Sequence, residues 1–147
     1  MIRIALNQGK TAFVPGERID VRLSWSFEVP AESLVLRLLW YTDGKGTQDV
    51  EVVEERVVSP QSRGGEEQLS FTAPKFPFSI HGQLLSIRWA FEAIARPGNE
   101  SAREEITIGR DGQAVVLPET PDNSLKTLSN LMKSVTRFGQ REKPLRS

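Results

Sequence analysis

The chain has 147 residues, of which 38% are hydrophobic and 26% are charged, and it contains no cysteine. This length suits one folded domain, and the apolar content is too high for a wholly disordered chain. The missing cysteine excludes disulfide bonds, thiol catalysis and cysteine-bound metals. A formal net charge of zero gives no reason to expect nucleic-acid binding.

Seven segments of residues 1–108 alternate apolar and polar residues with a period of two, as strands do when they bury one face and expose the other. Turns rich in glycine and proline separate them at 14–17, 42–47, 62–65 and 96–99. This pattern predicts an all-β fold, an immunoglobulin-like antiparallel β-sandwich of about seven strands. The apolar series are Ile2, Ile4, Leu6; Ile19, Val21, Leu23, Trp25; Leu34, Leu36, Leu38, Trp40; Val50 and Val52, continuing to about Val58; Leu69, Phe71, Ala73; Leu85, Ile87, Trp89, Phe91, Ala93; and Ala102, Ile106, Ile108.

Residues 109–122 contain two glycines and two prolines, and they are predicted to form a linker with room for a short strand at 114–117. Asp122 or Asn123 can cap a helix in the segment 123–139 that runs through about Phe138, with Gly139 just past its end, followed by a flexible tail at 140–147. On a helical wheel, six apolar residues share one arc of about 140°, and three basic residues lie opposite. The apolar residues are Leu125, Leu128, Leu131, Met132, Val135 and Phe138, and the basic residues are Lys126, Lys133 and Arg137.

Charge is distributed unevenly along the chain. Residues 1–122 contain 13 Lys/Arg and 18 Asp/Glu, a net charge of −5, whereas residues 123–147 contain 6 Lys/Arg and 1 Asp/Glu, a net charge of +5. An acidic body therefore carries a basic tail. The N-terminal residues lack the apolar core of a signal peptide, and no run reaches the roughly 20 apolar residues of a membrane span. We therefore expect a cytoplasmic protein.

The polar residues of the strands and turns do not form a convincing catalytic or metal site. His81 is the only histidine, and a catalytic or metal-binding histidine needs partners. Asp43, Asp49 and Glu51 flank a glycine-rich turn without the spacing of a calcium loop. Residues 44–47 lack the upstream glycine of a phosphate-binding loop. We therefore predict no catalytic residue, metal, cofactor or small-molecule substrate.

The sixth strand presents Arg88 and Glu92, with Ser86 and Ala90, on its predicted wet face. These residues could form a recognition surface, but pairing with neighbouring strands explains them better. The three tryptophans are in phase with aliphatic residues, which favours the core; exposed tryptophans in a row would instead indicate sugar binding.

Several motifs of residues 1–108, taken in order, resemble the arrestin-like domains. Residues 13–17 (FVPGE) and 19–21 (IDV) resemble the aromatic-x-Pro-Gly-Glu-x-hydrophobic opening of these domains. Residues 71–74 (FTAP), 77–82 (PFSIHG) and 85–93 (LSIRWAFEA) resemble a Phe-x-x-Pro strand end, a Pro-x-Ser-hydrophobic-x-Gly segment and the strand that follows. The resemblance implies an arrestin-like sandwich of seven or eight strands over 1–108, in proteins that act as adaptors or scaffolds without catalysis.

The chain also departs from the arrestin pattern. Arrestins and the related retromer subunits pair two sandwiches, whereas 147 residues have room for one. The phosphate-sensing polar core of visual arrestins has no recognisable counterpart, so the resemblance does not imply receptor binding. We expect a compact, bacterial, single-domain relative with its own helical tail.

The leading hypothesis is a non-enzymatic adaptor or scaffold. The sandwich would supply a rigid frame with open strand edges, and the basic amphipathic helix would bind a protein partner or self-associate. Docking of the helix on its own sandwich is left open. Two alternatives remain: a carbohydrate-binding sandwich, and peripheral association of the helix with an anionic membrane. A hydrolase ranks lower, because it would need clustered carboxylates with a raised pKa.

Overall fold

The computed structural model describes residues 1–44, 48–82 and 84–117. Within these residues the fold is all-β, with a short 3₁₀ turn at Asn7–Gly9. The strands are β1 (Ile2–Leu6), β2 (Ala12–Phe13), β3 (Arg18–Ser26), β4 (Ser33–Gly44), β5 (Val50–Val58), β6 (Gly64–Thr72), β7 (Ile80–His81), β8 (Leu85–Arg96), β9 (Ser101–Ile108) and β10 (Val115–Val116). The predicted helix at 123–139 lies outside the described residues.

The strands form two sheets that face each other. The small sheet has the order β1-β3-β6, and the large sheet runs β10-β7-β8-β4-β5, with β9 paired to β8. All pairings between the seven longer strands are antiparallel, and these seven correspond to the seven alternating segments. Two short pairings, β2 with β9 and β7 with β10, are parallel. The predicted all-β sandwich is confirmed.

The core lies between the two sheets because each contributes one apolar face. The rings of Phe71 on β6 and Phe91 on β8 meet edge to face across it, with their centroids 5.0 Å apart. Burying a large apolar side chain of this kind contributes about 1.5–3 kcal/mol. The fully buried large side chains of this core include Ile19, Val21, Leu23, Leu34, Leu36, Leu38, Trp89, Phe91 and Ile108.

The segment before β7 is tied to the core by polar contacts. The buried indole of Trp89 donates a hydrogen bond from Nε1 to the Pro77 carbonyl, at 2.8 Å. The Ser79 hydroxyl accepts a hydrogen bond from the Ile108 amide at 2.9 Å, and the Ser79 amide donates to the Ile108 carbonyl at 2.7 Å. The Pro-x-Ser motif therefore joins β8 to the end of β9.

The end of the described chain lies against the large sheet. The Val115 amide donates to the Ser79 carbonyl, and the Leu117 amide donates to the His81 carbonyl. Leu117 packs with Ile80 and Ile87 in a small apolar cluster. The chain therefore leaves the described region beside the beginning of β8.

One expectation about the sixth strand is wrong. Ser86 and Ala90 are buried, although they lie on the face predicted to be wet. The Ser86 hydroxyl contacts the backbone of Gly82 at 3.4 Å, and Ala90 lies between two longer neighbours, Leu39 on β4 and Glu105 on β9. The centre of the large sheet is therefore buried on both faces.

Candidate interaction surface

The large sheet has a second face, directed away from the small sheet, which we call the outer face. Strand register assigns its side chains to rows that run across β5, β4, β8 and β9. One row contains Val52, Leu39, Ala90 and Glu105. The other rows are Val57, Val35, Ile94 and Ser101; Glu55, Arg37, Glu92 and Arg103; and Val50, Tyr41 and Arg88.

The middle of the outer face is an apolar cluster of Leu39, Tyr41 and Ala90. Leu39 is 1% exposed and Ala90 is 0% exposed. The Arg103 guanidinium lies over the Tyr41 ring, 5.1 Å from its centroid. A cation above an aromatic face is attracted by the ring quadrupole, and this contact extends from β9 across β8 to Tyr41 on β4.

Ion pairs between adjacent strands surround the apolar cluster. Arg37 lies 3.0 Å from Glu55, and Arg103 donates to Glu92 at 2.8 Å. The hydrogen bond from Arg103 to Glu92 raises the pKa of this guanidinium above its usual value. The predicted pairing of Glu92 with a neighbouring strand is confirmed.

Arg88 forms the second set of ion pairs on this face. Its Nη1 donates to Glu105 at 2.9 Å, and its Nε lies 3.6 Å from the Asp43 carboxylate. The bond to Glu105 is the main reason that the pKa of the Arg88 guanidinium is raised. Because these charges are neutralised by partners within the sheet, the outer face offers apolar contacts more than free charge.

The β5 side of the outer face is exposed and apolar. Val50, Val52 and Val57 are 53%, 38% and 65% exposed. A β-bulge at Val53 shifts the register, so that Leu39 lies opposite Val52 while Leu38 lies opposite Glu54. The extra residue places Val52 and Val57, which are five positions apart, on the same face. Among the described strands β5 pairs only with β4, so its other edge is open.

Arg56 connects the two sheets at this edge of the sandwich. Its guanidinium pairs with Glu54, donates to the Ser70 carbonyl of β6 at 3.0 Å, and lies 4.7 Å from the centre of the Phe71 ring. One side chain thus joins the edge strands of the two sheets, which keeps β5 in place while its outer side faces solvent.

A polar cluster on the small sheet contains the Asp20 carboxylate, whose pKa is shifted. The Ser70 hydroxyl and the Arg18 Nε each donate to the Asp20 carboxylate at 2.8 Å. These two hydrogen bonds, with that from Ser70 the larger cause, lower the pKa of Asp20 below its usual value. The carboxylate is held ionised by its neighbours, which suits a structural role.

The polar residues weighed in the sequence as catalytic or metal-binding candidates are not brought together. His81 is exposed on the two-residue strand β7, and Asp43 pairs with Arg88. Asp49 and Glu51 lie near the start of β5. Within residues 1–44, 48–82 and 84–117, no group of three or more histidine or acidic side chains is arranged to hold a metal ion.

The tryptophans occupy the interior, as their phase predicts. Trp25 and Trp89 are buried, and Trp40 is half-buried against the same core. They do not form the exposed aromatic platform that a carbohydrate-binding sandwich would need. No helix in the described part of the chain is long and apolar enough to span a membrane.

The sequence pattern missed most of this surface. The residues predicted to bind a partner lie outside the described residues: Leu125, Leu128, Leu131, Met132, Val135, Phe138, Lys126, Lys133 and Arg137. The signal for the outer face was present in β4, where residues 34–41 are apolar at every position except Arg37. A nearly continuous apolar run is typical of a strand buried on both faces.

Comparison with known proteins identifies the fold but no family. No family model and no curated protein matches the chain. Among solved structures, the chain is similar to Spo0M, a sporulation control protein from Bacillus subtilis, with a TM-score of 0.52 and 16% sequence identity. The match covers 73% of this chain and 48% of the Spo0M chain, so this chain spans about half of Spo0M's length. At this identity the likeness shows the fold alone, and it supports an arrestin-like β-sandwich.

Proposed function

We propose that this chain is a non-catalytic protein-interaction module, an adaptor or scaffold that acts in the cytoplasm. The observation that carries the proposal is the set of exposed valines on β5: Val50 and Val52 lie next to the apolar cluster of the outer face, and Val57 lies beyond the ion pair of Glu55 with Arg37. Contiguous apolar surface with a polar border is typical of protein-binding sites. The description of Spo0M as a sporulation control protein names a control function, which agrees with this proposal.

The β5 edge provides two kinds of contact to a partner. Its open side presents backbone N–H and C=O groups that can pair with an added strand. Its outer side presents Val50, Val52 and Val57, and full burial of a valine contributes at least about 1.5 kcal/mol before the costs of association. The contact between Arg56 and β6 would hold this edge in position for binding.

The amphipathic segment 123–139 is the second proposed binding element. The six apolar residues of its arc would be buried against a protein partner or a second copy of the chain, and Lys126, Lys133 and Arg137 would steer association electrostatically. Support comes from the charge asymmetry, because residues 123–147 have a net charge of +5 and follow a body with a net charge of −5, which favours acidic partners. We further propose that the chain is a bacterial, single-domain arrestin-like protein.

The test compares full-length variants in host cells. Val57→Asp adds a charge to the exposed valines of β5, whereas Gln68→Asp adds the same charge to β6, the exposed edge strand of the small sheet. Proteins that co-purify with each tagged variant are quantified by mass spectrometry, and the mass of each purified variant is measured by sedimentation velocity.

We expect Val57→Asp to lose its partners, or its self-association, by at least tenfold, while Gln68→Asp resembles the native chain. A native chain that sediments as a monomer and enriches no protein would refute the proposal. Enrichment of membrane lipid without protein would indicate peripheral membrane association instead.

A further inference from the structure

The burial of the outer-face cluster requires an explanation. Leu39 and Ala90 have side chains on the face away from the small sheet, yet they are as inaccessible as core residues. In the main core and in the cluster around Leu117, half-buried apolar side chains pack on the buried ones. Among the described residues, no half-buried apolar side chain packs on Leu39, Tyr41 and Ala90. A sheet face buried to this degree normally has another layer of structure against it.

The long charged side chains account for only part of this cover. Arg103 lies over Tyr41, and Arg37 and Glu92 are directed to their ion-pair partners within their own row, which lies beside the cluster. Arg103 crosses β8 near Ala90 to reach Tyr41 on β4, whereas the ion pairs of Arg37 and Glu92 cover one border of the cluster. Leu39, which is between Val52 and Ala90, is flanked by shorter side chains.

Segment 123–139 has the right length and starting point to cover the cluster. The described chain ends at Leu117, beside the beginning of β8. The five residues 118–122 can span up to about 17 Å, more than three strand spacings of about 4.8 Å. A helix of 17 residues is about 25 Å long, and the outer-face positions from Val35 to Asp43 on β4 extend about 26 Å.

The chemistry of the segment also matches the outer face. Its apolar arc of about 140° is wide enough to contact a sheet along one side. With that arc on the cluster, Lys126, Lys133 and Arg137 point to solvent. The opposite net charges of the segment and the body add a long-range attraction.

We propose that segment 123–139 docks as an amphipathic helix on the outer face of its own chain, over Leu39, Tyr41 and Ala90. The exposed valines of β5 then lie beside the docked helix and stay open to a partner. A partner that binds the apolar arc has to compete with the outer face, so docking regulates access to the arc. The docking itself does not depend on the proposed function.

The experiment uses Tyr41, which is the only tyrosine in the chain. Full-length protein labelled with 3-fluorotyrosine gives a single ¹⁹F resonance from the outer face. A water-soluble gadolinium chelate increases the relaxation rate of that resonance in proportion to its solvent exposure. The variants are Leu128→Asp and Val135→Asp on the apolar arc, with Asn130→Asp on the opposite arc as the charge-matched control. Sedimentation velocity gives the mass of every sample.

We expect low, concentration-independent relaxation enhancement in the monomeric native chain and in Asn130→Asp, and a several-fold increase in Leu128→Asp and Val135→Asp. Equal enhancement in all four proteins would overturn the proposal, since the cluster would then be covered by its own sheet or not covered at all. Protection that appears only with a dimer mass would overturn it in favour of a second copy. Val57→Asp tests the two proposals separately. Loss of its partners supports the proposed function, and normal protection of Tyr41 in the same variant supports the docking.

Discussion

Replacing Trp89 with phenylalanine tests the contact that joins β8 to the segment before β7. The indole of Trp89 is fully buried and donates to the Pro77 carbonyl at 2.8 Å. Trp25 offers a matched comparison, because it is also buried in the core but its Nε1 has no hydrogen-bond partner in the described part of the chain. Both substitutions remove the same atoms, and only Trp89→Phe removes a hydrogen bond.

The expected changes in the free energy of unfolding follow from the lost side-chain volume and the lost hydrogen bond. Phenylalanine is smaller than tryptophan by about 40 Å³, and a cavity of that volume costs about 1 kcal/mol. Leaving the buried Pro77 carbonyl without its donor costs about 1–3 kcal/mol more. Trp89→Phe should therefore lower the free energy of unfolding by about 2–4 kcal/mol, and Trp25→Phe by about 1 kcal/mol or less.

Urea denaturation followed by circular dichroism measures both changes. The slopes with urea should match that of the native chain, so that the midpoints report stability directly. Equal destabilisation by the two substitutions would show that the hydrogen bond to the Pro77 carbonyl contributes no net stability, which would refute this prediction.

Three further substitutions test the polar contacts of the sandwich. Ser79→Ala removes the acceptor of the Ile108 amide and should reduce the free energy of unfolding in urea by about 1–3 kcal/mol, because the buried N–H then has no hydrogen-bond partner. A loss below about 0.5 kcal/mol would contradict this. Arg56→Met removes the contacts with β6 and the Phe71 ring, and we expect a loss of about 1–2 kcal/mol that Arg56→Lys only partly restores. Asp20 has a lowered pKa in the folded state, so its stabilisation is present above the unfolded-state pKa near 4 and is lost as the pH falls through the folded-state pKa. Asp20→Asn should therefore lose less stability than the native chain between about pH 5 and pH 2, and parallel urea midpoints across that range would refute this.

The sequence predicts the sandwich well because its strongest signal is local. Alternation with a period of two requires only that one face be buried, and the seven longer strands appear where it predicts them. The two-residue strands β2 and β7 have no such signal, because pairings that short depend on where the longer strands bring the chain. The Pro-x-Ser motif was recognised as a pattern, but its partner Ile108 is 29 residues away from Ser79 in the chain.

The outer face was harder to predict, for two physical reasons. Val52 and Val57 share a face only because of the bulge at Val53, and an inserted residue reverses the alternation on which the prediction depends. Burial of Leu39 and Ala90 depends on what covers the second face of the sheet, and strand periodicity carries no information about that layer. The amphipathic segment was predicted from its own periodicity, whereas its binding surface stays a proposal.

Site-specific photocrosslinking in host cells tests the central claim most directly. Benzoylphenylalanine is placed at position 57, among the exposed valines of β5, and in a second strain at position 68, on the edge strand of the small sheet. The proposed interaction module predicts a discrete crosslinked protein from position 57 and none from position 68. No product from position 57, or the same products from both positions, would contradict it.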